Sequence, residues 1–202
     1  MRRPDIQLYT AATMNGYKPV IFLEKTGVPY DLIFIDFDKK EQKALSYMKL
    51  NPNGRIPTIG DRSNNNFAVF ESGAILWYLA EKYNRFLPDD HNGRSETMQW
   101  LMFQMSGIGP MMGQAMYFQR IAVPNGREES FSIRRYVNES RRLLEVLDSR
   151  LEGRQWLVAD QYTIADMATY PWVRAYPWAY FLQGRAQNGS HAARTGTAGT
   201  GP

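Results

Sequence analysis

The hydrophobic pattern of the first half alternates between strand-like and helix-like segments. IQLYT (6–10) and YDLIFIDF (30–37) are short apolar runs typical of strands, and KPVIFLEKTG (18–27) between them has helical spacing. That helix is predicted to stop at Gly27, with Pro29 beyond it. The second run is apolar at successive positions, so we expect a strand covered on both faces of a sheet. The order predicts a right-handed βαβ unit.

Two further strands and a helix follow a polar, weakly helical stretch. RIPTIG (55–60) and FAVF (67–70) flank a loop of turn-forming residues, which predicts a β-hairpin. ESGAILWYLAEKYN (71–84) then has the apolar spacing of a helix. The pattern therefore predicts an α/β domain over residues 1–84.

Strand signals disappear after a linker predicted at residues 85–94. The following segments have the apolar spacing of long helices, of which the first is interrupted by glycines and a proline: 95–122, 130–153 and 162–181. In the last segment Thr163 and Asp166 form a Thr-x-x-Asp pattern, which predicts a helix N-cap with a capping box. The fold class is thus α/β plus all-α, with a helical domain over residues 95–181.

The amino-acid composition argues against several kinds of functional site. The chain of 202 residues has no cysteine and two isolated histidines, which argues against disulfides, a Cys nucleophile, a metal cluster or a Ser-His-Asp triad. The formal net charge is +4, but Arg185 and Arg194 lie in an acid-free tail, so the remainder carries +2 and nucleic acid is not an expected partner. No apolar run is long enough to span a membrane, and we expect a cytoplasmic protein.

The tail differs from the rest of the chain. Residues 182–202 are dominated by Gly, Ala, Thr and Ser, and no apolar residue larger than Ala follows Leu182. Such a segment cannot bury enough surface to offset its ordering entropy, so we expect it to be disordered, as an inert or foreign extension.

The turn before the first helix is the first candidate site. A helix N-terminus presents unpaired N–H groups and a partial positive charge, both of which favour an anion. Thr13 adds a hydroxyl there, Asn15 adds an amide, and Gly16 allows a ligand to approach the backbone. A plain N-cap role for Thr13 or Asn15 is the alternative interpretation.

Two more motifs suggest a peptide ligand. In NPNGRIPTI, a cis bond before Pro57 would turn the backbone of Ile56 outward, where it can pair with an extended peptide. In FESGAI, Ser72 lies at a helix start and can bind a carboxylate, while Glu71 can receive an ammonium group. Together the three sites indicate a ligand with a thiol or other anion, a peptide backbone and an amino-acid head group.

These motifs, in this order, resemble a known family. TMNGYK, NPNGRIPTI and FESGAILWYLAEKY, followed by a helical region with YTIADM, are similar to glutathione transferases. The Thr-x-Asn turn is similar to that of the bacterial nu class and its fungal prion-protein-like relatives. The resemblance implies a thioredoxin-like N-terminal domain with cis-Pro57, a helical C-terminal domain and a homodimer.

The resemblance also implies roles for individual residues. Thr13 and Asn15 would stabilise the thiolate of glutathione, the co-substrate, and no metal is implied. Ile56, Glu71 and Ser72 would bind its backbone and its γ-glutamyl end. Two further contacts to glutathione are implied for Arg135 and Gln42. A Tyr at the end of the first strand activates the thiol in several other classes, but the Thr-x-Asn turn favours a buried structural role for Tyr9.

The implied reaction is attack by the glutathione thiolate on a disulfide or on an electrophilic small molecule. Two alternatives share the same thiol site: a non-catalytic glutathione-binding or regulatory relative, and a conjugating enzyme, isomerase or dehalogenase. The electrophile pocket that would distinguish the enzymes is expected to be lined by Met111, Met112, Met116, Tyr117 and Trp172.

One departure from the family concerns the C-terminal end. Family members continue beyond PWVRAYPW with a further loop and helix, whereas this sequence changes to the Gly/Ala/Thr-rich tail. We therefore expect a truncated helical domain, with lower stability and a more open electrophile pocket than in relatives.

Overall fold

The computed structural model describes residues 3–127 and 129–180, with four strands and eight α-helices in that range. The strands are β1 (Ile6–Thr10), β2 (Tyr30–Phe34), β3 (Thr58–Asp61) and β4 (Phe67–Phe70). The helices are α1 (Met14–Thr26), α2 (Leu45–Met48), α3 (Ser72–Tyr83), α4 (His91–Phe103), α5 (Gly109–Tyr117), α6 (Ser130–Leu151), α7 (Ile164–Arg174) and α8 (Tyr176–Tyr180). The predicted tail, residues 182–202, lies outside the described residues.

The four strands form one mixed sheet in the order β2-β1-β3-β4. β1 and β2 are parallel, as the predicted βαβ unit requires, and β3 and β4 pair as an antiparallel hairpin. The expectation that the second strand is covered on both faces is wrong. β2 is an edge strand, and its Leu32 and Phe34 are 59% and 65% exposed, since only one of its faces is packed.

The core runs continuously from the sheet into the helical half. Ile6 and Leu8 of β1 and Phe22 of α1 are fully buried in the same cluster as Leu101 of α4 and Met167 of α7. Each of these side chains contributes roughly 1.5–3 kcal/mol when removed from water. One apolar core therefore spans both predicted domains, and a second core, which includes Ile108 and Met112, lies within the helical half.

The helical half begins earlier and is more segmented than predicted. Asp90 caps α4 through the N–H of Gly93, so His91–Arg94, predicted as linker, form its first turn. The predicted 95–122 helix is divided by a π-helical segment at Gln104–Ile108, where the chain contains Gly107, and ends in another at Phe118–Ala122. π-helical segments interrupt the regular hydrogen-bond ladder and occur often at functional sites.

The start of α7 is fixed by a capping box. The Thr163 hydroxyl accepts from the N–H of Ala165, and the Asp166 carboxylate accepts from the N–H of Thr163. Asp166 also accepts from the N–H of Leu157, which ties the preceding loop to the helix. The predicted 162–181 helix is broken near Ala175, between α7 and α8. Within the described residues, no helix is long and apolar enough to cross a membrane.

Candidate functional site

The turn between β1 and α1 is held by Thr13. Thr13 has an extended backbone, and its Oγ1 accepts a hydrogen bond from the N–H of Gly16 at 3.0 Å, so it is the N-cap of α1. A side chain on Gly16 would clash with the carbonyl of Ala11, which explains glycine there. A hydroxyl that accepts from a backbone N–H still has its own hydrogen to donate. The cap role therefore leaves Thr13 able to donate to an anion.

The side chain of Asn15 is held by the helical half. Nε1 of Trp172, on α7, donates to Oδ1 of Asn15 at 2.9 Å. An indole N–H can only donate, so the amide must present its oxygen to Trp172 and keep its NH₂ group on the other side. That NH₂ group has no hydrogen-bond partner among the described residues. Asn15 is therefore an oriented donor at the N-terminus of a helix.

The loop before β3 is fixed by buried polar contacts. Nδ2 of Asn51 donates to the carbonyl of Arg55 at 2.7 Å and to Oγ1 of Thr58 at 3.1 Å, and the Tyr47 hydroxyl donates to the same carbonyl. The Ile56–Pro57 peptide bond is cis. Within the described residues, no backbone hydrogen bond is made by Ile56, which is half-buried beside this network. These contacts hold the loop in place and leave the backbone of Ile56 available.

Glu71 and Ser72 lie at the junction of β4 and α3. Glu71 is exposed and has φ 68°, a positive value that costs a non-glycine residue about 1–3 kcal/mol. Such strain is typical of functional sites. Ser72 is 2% exposed, and its Oγ faces inward toward the Nζ of Lys18 at 3.2 Å. The hydroxyl of Ser72 is therefore less accessible than the sequence suggested.

Lys18 lies beside the candidate site, and the sequence pattern did not single it out. It is fully buried on α1, and its Nζ donates to Oε1 of Gln104 at 2.5 Å, to Ser72 and to Sδ of Met105 at 3.2 Å. Burial lowers the pKa of Lys18 to about 7, against an opposing effect of the Glu71 carboxylate. The signal for this residue was its position four residues before Phe22, on the buried face of the helix.

The structure does not bring Arg135 and Gln42 into contact with this turn. Arg135 is exposed on α6. The pKa of the Glu139 carboxyl is lowered mainly by a hydrogen bond from Arg142, and the charge of Arg135 makes a smaller contribution. Gln42 lies in the short 3₁₀ turn Glu41–Lys43, and its Oε1 is buried without a hydrogen-bond partner. A buried oxygen of this kind lacks an expected donor. Gln42 is therefore better suited than Arg135 to complete a ligand site in this state.

Tyr9 has structural contacts. Its ring packs edge-on against Tyr47 with centroids 6.0 Å apart, and its hydroxyl accepts from Nε2 of Gln7 at 3.4 Å. It is half-buried rather than fully buried. None of these contacts joins it to Thr13 or Asn15.

Of the residues expected to line the electrophile pocket, Tyr117 is exposed, Met111 is half-buried and the other three are buried. Met112 is fully buried and Met116 is 8% exposed, both in the core of the helical half, so they do not line a surface pocket. Tyr117 is 43% exposed, and Trp172 is 6% exposed with its indole turned toward Asn15. A large apolar groove of about 940 Å³ lies elsewhere, between α6, α7 and α1. It contains Trp156, Tyr162 and Tyr170 and none of the turn residues.

The turn and its surroundings offer hydrogen-bond donors for an anion. Within residues 3–127 and 129–180, no group of three or more His, Asp or Glu side chains could hold a metal ion. A mixed four-stranded sheet with a cis-proline loop, packed on a helical half that contacts the first helix N-terminus, defines the two-domain fold of glutathione transferases.

Family comparison agrees with this class. Residues 4–81 match the glutathione S-transferase N-terminal domain, and residues 116–192 match the C-terminal domain of the same family. The chain belongs to the glutathione transferase family. It is 42% identical over 161 residues to the disulfide-bond oxidoreductase YfcG of Escherichia coli, covering 78% of this chain and 74% of that protein. Identity to glutathione S-transferase 1 of Schizosaccharomyces pombe is 40% over 156 residues, covering 73% and 65% respectively.

Solved structures of relatives share the fold. A glutathione transferase from Burkholderia graminis, with two glutathione molecules bound per subunit, superposes with a TM-score of 0.83 at 46% identity, covering 90% of this chain and 79% of that one. A Pseudomonas putida glutathione transferase with one glutathione disulfide bound per subunit has a TM-score of 0.83 at 44% identity, covering 91% and 80%.

Proposed function

We propose that this protein binds glutathione at the start of α1 and stabilises its thiolate for reduction of disulfide bonds. The observation that carries the proposal is the hydrogen bond from Trp172 to Asn15, which fixes the Asn15 amide with its NH₂ group free to donate. The similarity to a disulfide-bond oxidoreductase and to relatives with two glutathione molecules or a glutathione disulfide bound supports the same reaction.

The turn can supply the necessary stabilisation without a general base. A thiol of pKa ~8.5 is only a few per cent ionised at neutral pH, and each unit of depression takes about 1.4 kcal/mol of preferential anion stabilisation. The Asn15 amide, the Thr13 hydroxyl and the N-terminus of α1 are three donors of this kind, and charge-assisted hydrogen bonds are the stronger ones. Together they are sufficient to lower the pKa of the glutathione thiol by about one or two units.

The remainder of glutathione is assigned to the neighbouring groups. The Glu71 carboxylate would receive the γ-glutamyl ammonium, and the N-terminus of α3 at Ser72 would receive its carboxylate. The free backbone of Ile56 would pair with the cysteinyl residue, as a strand does. Gln42, with its unpartnered buried oxygen, and Arg135, as an exposed cation on α6, are proposed as contacts to the remaining polar groups.

The reaction needs no thiol from the protein. The first glutathione thiolate attacks one sulfur of the substrate disulfide, and the other sulfur leaves as a thiolate that takes a proton from water. The second glutathione thiolate attacks the glutathione sulfur of the mixed disulfide and releases the second substrate thiol. Each glutathione gives up one electron, so one oxidised glutathione leaves for each disulfide reduced. The chain contains no cysteine, which is compatible with this course.

The test compares two reactions on the purified protein: glutathione-dependent reduction of 2-hydroxyethyl disulfide, and conjugation of 1-chloro-2,4-dinitrobenzene. Disulfide reduction should be the faster reaction, and it should fall at least tenfold in Asn15→Ala. Asn125→Ala, a change at an exposed asparagine remote from the turn, is the matched control and should keep the wild-type rate.

Other outcomes would contradict the proposal in distinct ways. Conjugation as the dominant reaction would indicate a conjugating transferase that uses the same thiol site. If both rates remain at background while glutathione still binds, the protein is a non-catalytic glutathione-binding relative. If glutathione does not bind, the assignment of the turn is wrong.

The proposal extends to a homodimer that acts in the cytoplasm. Phe67 and Phe70 on the edge strand β4 are 53% and 37% exposed, and Met102 on α4 is 46% exposed. An edge strand with exposed apolar side chains is able to pair with a second copy of the chain, which supports the dimer. Sedimentation velocity at micromolar concentration should give twice the mass of one chain, and a single-chain mass would contradict the dimer.

A further inference from the structure

The buried cluster around Lys18 connects three parts of the molecule. Lys18 belongs to α1, Ser72 begins α3, and Gln104 with Met105 belongs to the π-helical segment of the helical half. Lys18, Ser72 and Gln104 have exposures of 0%, 2% and 0%. The cluster is therefore closed to water, although it adjoins exposed Glu71.

The ammonium group at the centre of this cluster lacks a full counter-charge. Its contacts are one hydroxyl, one amide oxygen and one thioether sulfur, which is a weak acceptor. Among the described residues, Glu71 is the charged group that stabilises it, and the Glu71 side chain is exposed. The charged residues of α7, which also packs on α1, lie toward its ends: Asp166 is bound to Thr163, and Arg174 is in the last turn. A buried cation of this kind favours an added anion nearby.

Ser72 provides the connection between Lys18 and such an anion. Lys18 donates to Oγ of Ser72 at 3.2 Å, and the Ser72 hydroxyl has only the sulfur of Met105, at 3.6 Å, as an acceptor. Sulfur is a weak acceptor, so a carboxylate placed at the start of α3, next to Ser72, would take this hydrogen from Met105. A head group whose ammonium lies on Glu71 would bring its carboxylate over Ser72. Its ammonium would offset the Glu71 charge and lower the Lys18 pKa, but its carboxylate would lie over the residue that Lys18 contacts directly, so it would have the larger and opposite effect.

We propose that Lys18 is a positioning residue whose ammonium form holds Ser72 for the α-carboxylate of the bound amino-acid head group, so that ligand binding draws a proton onto Lys18. This inference rests on the proposed function, because it uses the head-group site at Glu71 and Ser72. A merely structural lysine would keep the same proton occupancy with and without the ligand.

The pH dependence follows from linkage. The free protein has a Lys18 pKa of about 7, and the bound carboxylate raises the pKa of the same amine. Affinity is then highest below pH 7, falls as the pH rises through the interval between the two pKa values, and is constant above it. For a rise of one pKa unit, the affinity should fall about sixfold between pH 6.5 and 8.5.

The experiment uses S-methylglutathione, which keeps both ends of the tripeptide but has no ionisable thiol. Protein labelled with [ε-¹³C]lysine is titrated with acid and base in the presence and absence of this ligand, and the resonance of Lys18 is identified by its loss in Lys18→Met. The midpoint of the Lys18 resonance should lie near neutral pH in the free protein and should rise by one unit or more in the complex. An unchanged midpoint would overturn the inference.

Calorimetry in buffers of different ionisation enthalpy gives an independent measure. Wild-type protein should take up protons on binding S-methylglutathione near pH 7.5, and Lys18→Met should take up none while its affinity varies little with pH. Lys25→Met, which removes an exposed lysine from the last turn of the same helix, should behave as wild type.

The two proposals fail in different ways. If S-methylglutathione binds the wild-type protein without proton uptake, the Lys18 inference is wrong and the glutathione site stands. If it does not bind at all, the proposed function is wrong and the inference is overturned with it. The wild-type measurements decide both points even if Lys18→Met fails to fold.

Discussion

The indole N–H of Trp172 donates a hydrogen bond to Oδ1 of Asn15 at 2.9 Å, across 157 positions of sequence. The bond joins the N-terminus of α1 to α7, and it decides which end of the Asn15 amide can meet a ligand. The sequence predicts Trp172 in the electrophile pocket, but its side chain is 6% exposed and contacts Asn15 of the proposed thiol site. The orientation of Asn15, the proposed donor to the thiolate, thus depends on the helical half.

Trp172→Phe tests this relationship. Without the indole donor the Asn15 amide can rotate, so we expect the pKa of the bound glutathione thiol to rise by about one unit and disulfide reduction at pH 7 to fall roughly tenfold. Thiolate absorbance of the complex as a function of pH measures the first quantity. Trp156→Phe, in the groove against Tyr162, is the matched control. Equal thiol pKa values in the two variants would show that Trp172 does not orient Asn15.

Thr13 combines a cap with a proposed ligand contact, and substitution separates the two. Thr13→Ala should lower the free energy of unfolding by about 1 kcal/mol, because the N–H of Gly16 loses its acceptor. Thr13→Ser keeps the hydroxyl and should retain both stability and disulfide reduction. Urea denaturation and the disulfide assay provide the comparison. A Ser variant as inactive as the Ala variant would contradict a role for the hydroxyl.

Glu71 is expected to lower the stability of the fold and to strengthen the binding of glutathione. Glu71→Gly removes the cost of φ 68° and should raise the free energy of unfolding by up to about 1 kcal/mol relative to Glu71→Ala, which keeps a Cβ in the same conformation. Both variants lack the carboxylate and should bind glutathione at least tenfold more weakly. Thermal unfolding and calorimetric titration give the two numbers. Equal stability of the Gly and Ala variants would mean that the strain is absent.

Lys18 should make stability depend on pH in a defined direction. Its pKa is about 7 in the folded protein, against an ordinary value of 10.5, so above pH 7 the unfolded chain binds more protons at this site. The contribution of Lys18 to the free energy of unfolding therefore increases from pH 7 to about pH 10 and does not change with pH below 7. Lys18→Met lacks this gain, so its stability relative to wild type should decrease from pH 6.5 to pH 9. A difference independent of pH, in urea denaturation, would contradict a buried titrating amine.

Asp61 should determine part of the acid stability. Its side chain is fully buried, and although burial opposes ionisation, hydrogen bonds from Lys82, Tyr78 and Ser63 hold its pKa at about 2. This pKa is below the unfolded value, so the contribution, roughly 2 kcal/mol, is present above about pH 4 and is lost as the pH falls toward 2.

Asp61→Asn gives the corresponding measurement. It should be less stable than wild type at pH 7 and nearly equal at pH 2, by chemical denaturation at both pH values. Glu139→Gln, at an exposed pair with Arg142, should differ little from wild type. A deficit of the same size at pH 2 and pH 7 would assign the effect of Asp61→Asn to packing.

Local sequence determined the order of the elements. The hairpin of β3 and β4 follows from two short apolar runs around a turn-rich loop, and the capping box of α7 follows from a side chain that reaches only its own first turn. The N-cap of α1 at Thr13 is likewise a contact over three residues. Interactions of this range depend on neighbours in sequence, so a pattern can show them.

Features that depend on packing could not be predicted from local sequence. β2 has the composition of a strand covered on both faces, yet Leu32 and Phe34 are exposed because only one face of β2 is packed. Met112 and Met116 were assigned to a pocket but lie in the core, since composition cannot tell a buried methionine from one that lines a cleft. Each outcome was decided by which element packs on the segment.

The proposed thiol site at Thr13 and Asn15 also has features set by local sequence and features set by packing. The sequence by itself determined a helix N-terminus with a hydroxyl and an amide, because Thr13 and Asn15 are neighbours in the chain. The tertiary structure alone decided that Trp172 orients Asn15 and that Lys18 reaches Ser72 and Gln104 in a buried cluster. These partners lie 54 to 157 positions apart, and only the packing of α1 between α3 and α7 brings their atoms within hydrogen-bonding distance.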